Sequence, residues 1–138
     1  MSGGLHLIKM APGLRRPEEL DEWAQRTFGN GTVWITTKSG PKRAAELLDG
    51  GSMYWVFATQ ILARQRIMEI RPPASSHERC SIALDREVIR VNPAPKRAFQ
   101  GWRYLEAAHA PGDLPAGREG DDELPEEIRR VLSNIGLF

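Results

Sequence analysis

At 138 residues, with 41% hydrophobic and 27% charged residues, the chain has the length and composition of one ordinary globular domain and lies far from the disordered class. No run approaches the roughly 20 apolar residues of a membrane span, Met1-Ser2-Gly3-Gly4 lacks both regions of a signal peptide, and the lone Cys80 excludes an intrachain disulfide framework. A cytoplasmic protein with no membrane partner is the expectation, and the formal net charge of +1 conceals an uneven distribution.

Leu5-His6-Leu7-Ile8-Lys9-Met10 is short, apolar and flanked by glycines and by Pro12-Gly13, which predicts a strand. Pro17 opens a helix at its first position, where a missing N–H is no loss. Leu20, Trp23, Ala24 and Phe28 recur at helical spacing, and Gly29-Asn30-Gly31 supplies the stop. The β-branched and aromatic run from Thr32 to Thr37 predicts a second strand. Gly40-Pro41 starts a short helix whose buried stripe is Ala44, Leu47 and Leu48, and Gly50-Gly51 ends it. Ser52 to Ala58 reads as a strand apolar on both faces. Ile61 to Ile70 reads as its neighbour, with Leu62, Arg64, Arg66, Met68 and Ile70 on one face.

After the loop from Pro72 to Ser76, Cys80 to Leu84 and Val88 to Val91 predict two further strands. Asn92-Pro93-Ala94-Pro95 reads as an extended connector, because each proline biases its predecessor away from helix. Phe99 to Leu105 is the expected closing strand. Pro111 to Asp122 is rich in Gly, Pro and acid and reads as a loop, after which Pro125 opens a final helix striped by Ile128, Val131, Leu132 and Ile135. The chain is expected to form one domain over 1–138, with a barrel core at 1–110, an acidic loop at 111–124 and a C-terminal helix at 125–138.

This order holds too few helices for a doubly wound parallel sheet. The expected class is α+β: a mixed, curled β-barrel with two early helices and a C-terminal helix, the layout of the pseudouridine-synthase-and-archaeosine-transglycosylase-like (PUA-like) barrels.

Few residues form a catalytic constellation. Among the histidines and the cysteine only His77 and Cys80 are close, two ligands where a structural zinc site needs four, so neither a metal nor a cofactor is expected. Cys80 lies in an apolar run, where cysteine usually acts as a small buried hydrophobe. No Gly-x-Ser-x-Gly elbow or phosphate-binding glycine loop is present. Thr37, Lys38 or Lys42, and Glu69 could supply a hydroxyl, an activating amine and a proton carrier, although such Lys and Glu are commonly surface ion pairs. Whether the chain is an enzyme stays open.

Basic residues alternating with aromatic ones are the stronger signal. Lys38, Lys42, Arg43, Tyr54, Arg64 and Arg66 in one stretch, with Trp102 and Arg103 in a second, supply cations for phosphates and rings for stacking on bases. Trp34, Trp55, Phe57 and Phe99 are the expected core aromatics. The predicted function is binding of RNA or a nucleotide-like anion in a cleft formed by those eight residues. The alternatives are a small amidohydrolase acting on acylated nucleosides, or an interaction module for an acidic partner, which includes the acidic segment 113–127 of a second copy in a homodimer.

Four strings carry a family likeness: His6-Leu7-Ile8-Lys9, the run from Pro41 to Val56, Ile61-Leu62-Ala63-Arg64-Gln65-Arg66-Ile67, and the run from Arg97 to Leu105. In them the chain resembles the bacterial domain-of-unknown-function family numbered 1489, a likeness that implies no activity. A fainter resemblance, to the ASCH and EVE branches of the PUA-like group, rests on a Thr/Lys stretch, a helix, a turn and a strand pair ahead of the basic residues. It implies RNA or modified-base binding and, in one branch, an amidohydrolase using Lys, Thr and Glu.

Overall fold

The computed structural model describes residues 4–11, 13–75 and 78–114. The predicted helix over 125–138 and most of the acidic loop lie outside them. The element order is β1 (Leu5–Met10), α1 (Pro17–Phe28), β2 (Val33–Thr37), α2 (Ala44–Leu48), β3 (Ser52–Phe57), β4 (Gln60–Arg71), β5 (Cys80–Leu84), β6 (Ile89–Pro95) and β7 (Trp102–Glu106), followed by one 3₁₀ turn at Ala107–His109. No helix among the described residues is long and apolar enough to cross a membrane.

The seven strands form one mixed sheet in the order β2-β5-β4-β3-β1-β7, with β6 pairing to β4 off that path. β1 runs parallel to β3, and every other pair is antiparallel. The 12-residue β4 is the hinge of the sheet. Its first half lies between β3 and β6, and its second half pairs with β5. A bulge between Ile67 and Glu69 bends it there, turning the β5–β2 wing out of the plane of the rest. The bulge also breaks the strict alternation predicted for Ile61 to Ile70: Ile70 packs against the main core, while Met68 is exposed.

Local chemistry accounts for most elements. Pro17 begins α1, and the Glu19 carboxylate accepts a hydrogen bond from the Arg16 backbone N–H at 3.0 Å, satisfying the helix entry. Leu20 and Ala24 face inward one turn apart, and Trp23 meets Phe28 edge-on at 5.6 Å. β3 is buried along its whole length, as a strand apolar on both faces requires. Asn92 to Pro95 is strand rather than connector: β6 lies off the main path of the sheet, where prolines that donate no hydrogen bond are tolerated. α2 is only five residues long and buries Leu47, leaving the predicted stripe residue Leu48 42% exposed.

The main core fills the concave face with Leu5, Leu7, Leu20, Val33, Leu47, Met53, Trp55, Phe57, Ile67 and Ile82 among others. A smaller cluster of Ile8, Tyr54, Val56, Ile61, Val91 and Leu105 covers the opposite face.

The predicted closed barrel is corrected to an open, curled α+β sheet. β7 pairs with β1 as an added edge strand and forms no ladder with β2. Side chains span that gap instead. The Trp102 Nε1–H donates to the Ser39 carbonyl at 2.7 Å, and the Tyr104 hydroxyl oxygen accepts the backbone N–H groups of Lys42 at 2.9 Å and Arg43 at 3.1 Å. The two edges are close enough for aromatic side chains to join, yet too far apart for a backbone ladder, whose strands lie about 4.8 Å apart.

Candidate anion cleft between two sheet edges

The unclosed gap holds a cleft of about 520 Å³ lined by Lys9 of β1, Thr36 and Thr37 of β2, Lys38 and Ser39 after it, Arg79 before β5, and Gln100, Gly101 and Trp102 at β7. Strand register explains how Lys9 arrives there. Lys9 is the cross-strand partner of Trp55 on one side and Trp102 on the other, and period two sets it on the same face as Leu5 and Leu7. A lysine therefore occupies the core-facing position of β1, half-buried, and burial without a counter-ion pulls its pKa below the usual lysine value. Among the described residues, Lys9, Lys38 and Arg79 form no ion pair, and the cleft's described lining contains no carboxylate. Thr37 is buried, its hydroxyl donating to the Ser39 carbonyl at 2.8 Å, which fixes the bend that presents Lys38.

The structure does not bring the eight predicted residues onto one concavity. Lys38 and Trp102 meet in the cleft. Lys42 and Arg43 flank it through Tyr104, which contacts the Trp102 ring edge-on at 5.0 Å. The Arg43 guanidinium is held by Glu46 at 2.6 Å and lies 5.5 Å from the Tyr104 ring centre. Tyr54 is 5% exposed, its ring packed edge-on to His6, so it offers no face to a base. Arg64 binds Asp113 through two hydrogen bonds of 2.8 Å and donates to the Ser52 hydroxyl, which spends it on a neighbouring carboxylate. Arg66 is exposed outside the cleft lining, and Arg103 stacks over Phe99 at 4.7 Å.

Two expected core aromatics, Trp55 and Phe57, are buried. Trp34 and Phe99 are only half-buried and carry Arg71 and Arg103 on their rings. Glu69, the proposed proton carrier, pairs with Arg71 and is absent from the cleft lining, so it does not join Thr37 and Lys38 there. Cys80 is fully buried, and burial pushes its thiol pKa up. Among the described residues no group of three or more His, Cys, Asp or Glu side chains could hold a metal ion.

The Arg64 cluster carries a pH consequence. His6 is buried with Nδ1 accepting the Ser52 backbone N–H at 3.0 Å, and burial, then the nearby Arg64 charge, lowers its pKa. The unfolded chain therefore binds a proton at His6 that the folded chain resists, so stability falls as pH drops below about 6.5. The urea midpoint should fall between pH 7 and pH 5 in the parent chain and change less in His6→Asn. Equal midpoint shifts in the two proteins would refute this assignment.

Lys9 and Arg79 were not anticipated from the sequence. For Lys9 the signal existed: spacing of two residues from Leu5 and Leu7 placed it on the core face once that face was known. Arg79 sits in a loop and reaches the cleft only through tertiary folding.

No curated protein and no solved structure matches this chain, so the comparisons lend no support to the PUA-like resemblance. The profile of the family described as "Protein of unknown function (DUF1489)" matches residues 7–138. That match extends over nearly the whole chain, and the protein belongs to this family.

Proposed function

We propose that the cleft between the β2 and β7 edges binds RNA or a nucleotide-like anion, and that Lys38 and Arg79 carry its phosphate contacts. The supporting observation is the pooling of three cations, none in an ion pair among the described residues, beside Trp102 in a hollow with no described carboxylate. Charge without local compensation attracts polyanions, and an aromatic platform favours unpaired bases. Thr36, Ser39 and Gln100 add hydrogen-bonding groups to the same walls.

A labelled single-stranded oligouridylate, titrated at several salt concentrations, tests the reading. Lys38→Ala with Arg79→Ala should weaken binding roughly tenfold or more and flatten the slope of log affinity against log salt by about 1.4, since each phosphate contact on a single strand contributes about 0.7. Arg66→Ala with Arg103→Ala should change the slope far less. Unchanged affinity and slope in a folded Lys38→Ala, Arg79→Ala protein would overturn the proposal.

A further inference from the structure

Lys9 also forms part of the wall of a second cavity, of about 250 Å³, whose other described lining residues are Ala11, Leu14, Leu20, Trp23, Ile35 and Trp55. This space lies under α1 on the concave face and joins the residues of the basic cleft only through Lys9. Its walls are apolar apart from that amine. The indole N–H of Trp55 is already donated to the Gln65 side-chain oxygen at 3.0 Å. A nucleobase placed here would find the Lys9 amine as its one polar side-chain partner among the described lining, so the apolar walls give its remaining polar edge nothing to pair with. A hydrocarbon group meets no such penalty. The volume exceeds the roughly 150 Å³ of apolar cavities that accept a benzene ring.

We propose that this cavity binds a small organic anion with a hydrocarbon body, the body lying among Trp23, Ile35 and Trp55 and its carboxylate or phosphate pairing with the Lys9 ammonium. The placement of Lys9 carries the inference. A core-facing strand position normally takes an apolar side chain, and among the described residues this lysine has neither a carboxylate nor a hydrogen-bonding partner. Burying a charge without a partner is unfavourable, and an anionic ligand end would relieve it. The lowered Lys9 pKa has the same origin. The site is separate from the proposed phosphate contacts of Lys38 and Arg79.

Calorimetric titration with butanoate, hexanoate and octanoate, and with 1-hexanol as the neutral counterpart of hexanoate, tests the site. Affinity should rise about fourfold with each added methylene until the cavity is full. Hexanoate should bind roughly tenfold more tightly than 1-hexanol, in line with the gain expected for a charge-assisted contact. Lys9→Met, which keeps an apolar stem, should erase that preference while retaining 1-hexanol binding, and Lys9→Gln provides a neutral polar check if the methionine variant fails to fold. Equal binding of hexanoate and 1-hexanol by the parent chain, an undiminished preference in the folded variants, or no saturable binding of either compound would overturn the proposal. Hexanoate binding by a chain that ignores oligouridylate would uphold this site and refute only the nucleic-acid reading.

Discussion

Gly51→Ala should lower stability by about 3 kcal/mol or more, the upper end of what overpacking costs, and the melting temperature by about 10 °C. Gly51 is the point where α2, β1, β3 and β4 meet. Its N–H donates to the Leu47 carbonyl at 2.8 Å, and its own carbonyl accepts the Ile67 N–H at 2.9 Å. A Cβ atom here would press on the Leu47 carbonyl oxygen and lie 2.7 Å from the Leu5 carbonyl oxygen. Both obstacles are backbone, so no side-chain rotation relieves them. The loss should appear in thermal and urea unfolding with the urea m-value unchanged. A melting temperature within about 2 °C of the parent would mean that α2 can move away from β1 at little cost, contrary to the packing described.

Gln65→Leu is the second large effect, about 2–4 kcal/mol, because it strands a buried indole N–H and a part-buried carbonyl at once. Gln65 is fully buried on β4, accepts the Trp55 Nε1–H at 3.0 Å and donates its amide N–H to the Asp85 carbonyl at 3.1 Å. Leucine fills similar space but satisfies neither partner. Adding Trp55→Phe removes the stranded indole N–H, so the double variant should be less destabilised than the sum of the two single changes, a coupling that a double-mutant cycle measures. Additive losses would show that the Trp55–Gln65 contact contributes little. Because Trp55 lines the apolar cavity, loss of this tether should also weaken hexanoate binding there.

Much of the fold was legible because its signals are local. Pro17, the helical recurrence of Leu20 and Ala24, and Gly29 marked α1, and the β-branched run after Gly31 marked β2. The β3–β4 pair followed from two strand-like runs separated by a short turn. Sheet closure was not legible, since it depends on the summed bend of the whole sheet and on the bulge after Ile67, which no neighbouring residue announces. The continuation of β6 through Pro93 and Pro95 depended on its peripheral place in the sheet, which is a property of topology.

The candidate site divides along the same line. Lys38 and Trp102 were found because charge and aromaticity are visible residue by residue. The fate of Arg64 was hidden, because its partner Asp113 is 49 residues away, in the acidic segment expected to meet basic residues of a second copy. Tyr54 was expected among the rings that stack on bases, yet β3 is covered on both faces and leaves it no surface. Lys9 was hidden inside an apolar run whose two faces are both hydrophobic, so its direction could be assigned only after β1 was paired to β3 and β7.

The failure of the sheet to close links these results. A β2–β7 ladder would fill the gap with backbone and aliphatic side chains. The aromatic tether instead leaves a hollow faced by Lys9, Lys38 and Arg79. Amide chemical-shift mapping with inorganic pyrophosphate at low salt tests that claim most directly. Saturable shifts should centre on residues 36–39, 79 and 100–102 and disappear in Lys38→Ala with Arg79→Ala. Shifts centred on Arg66 or Arg103, or no saturable shift at all, would contradict it.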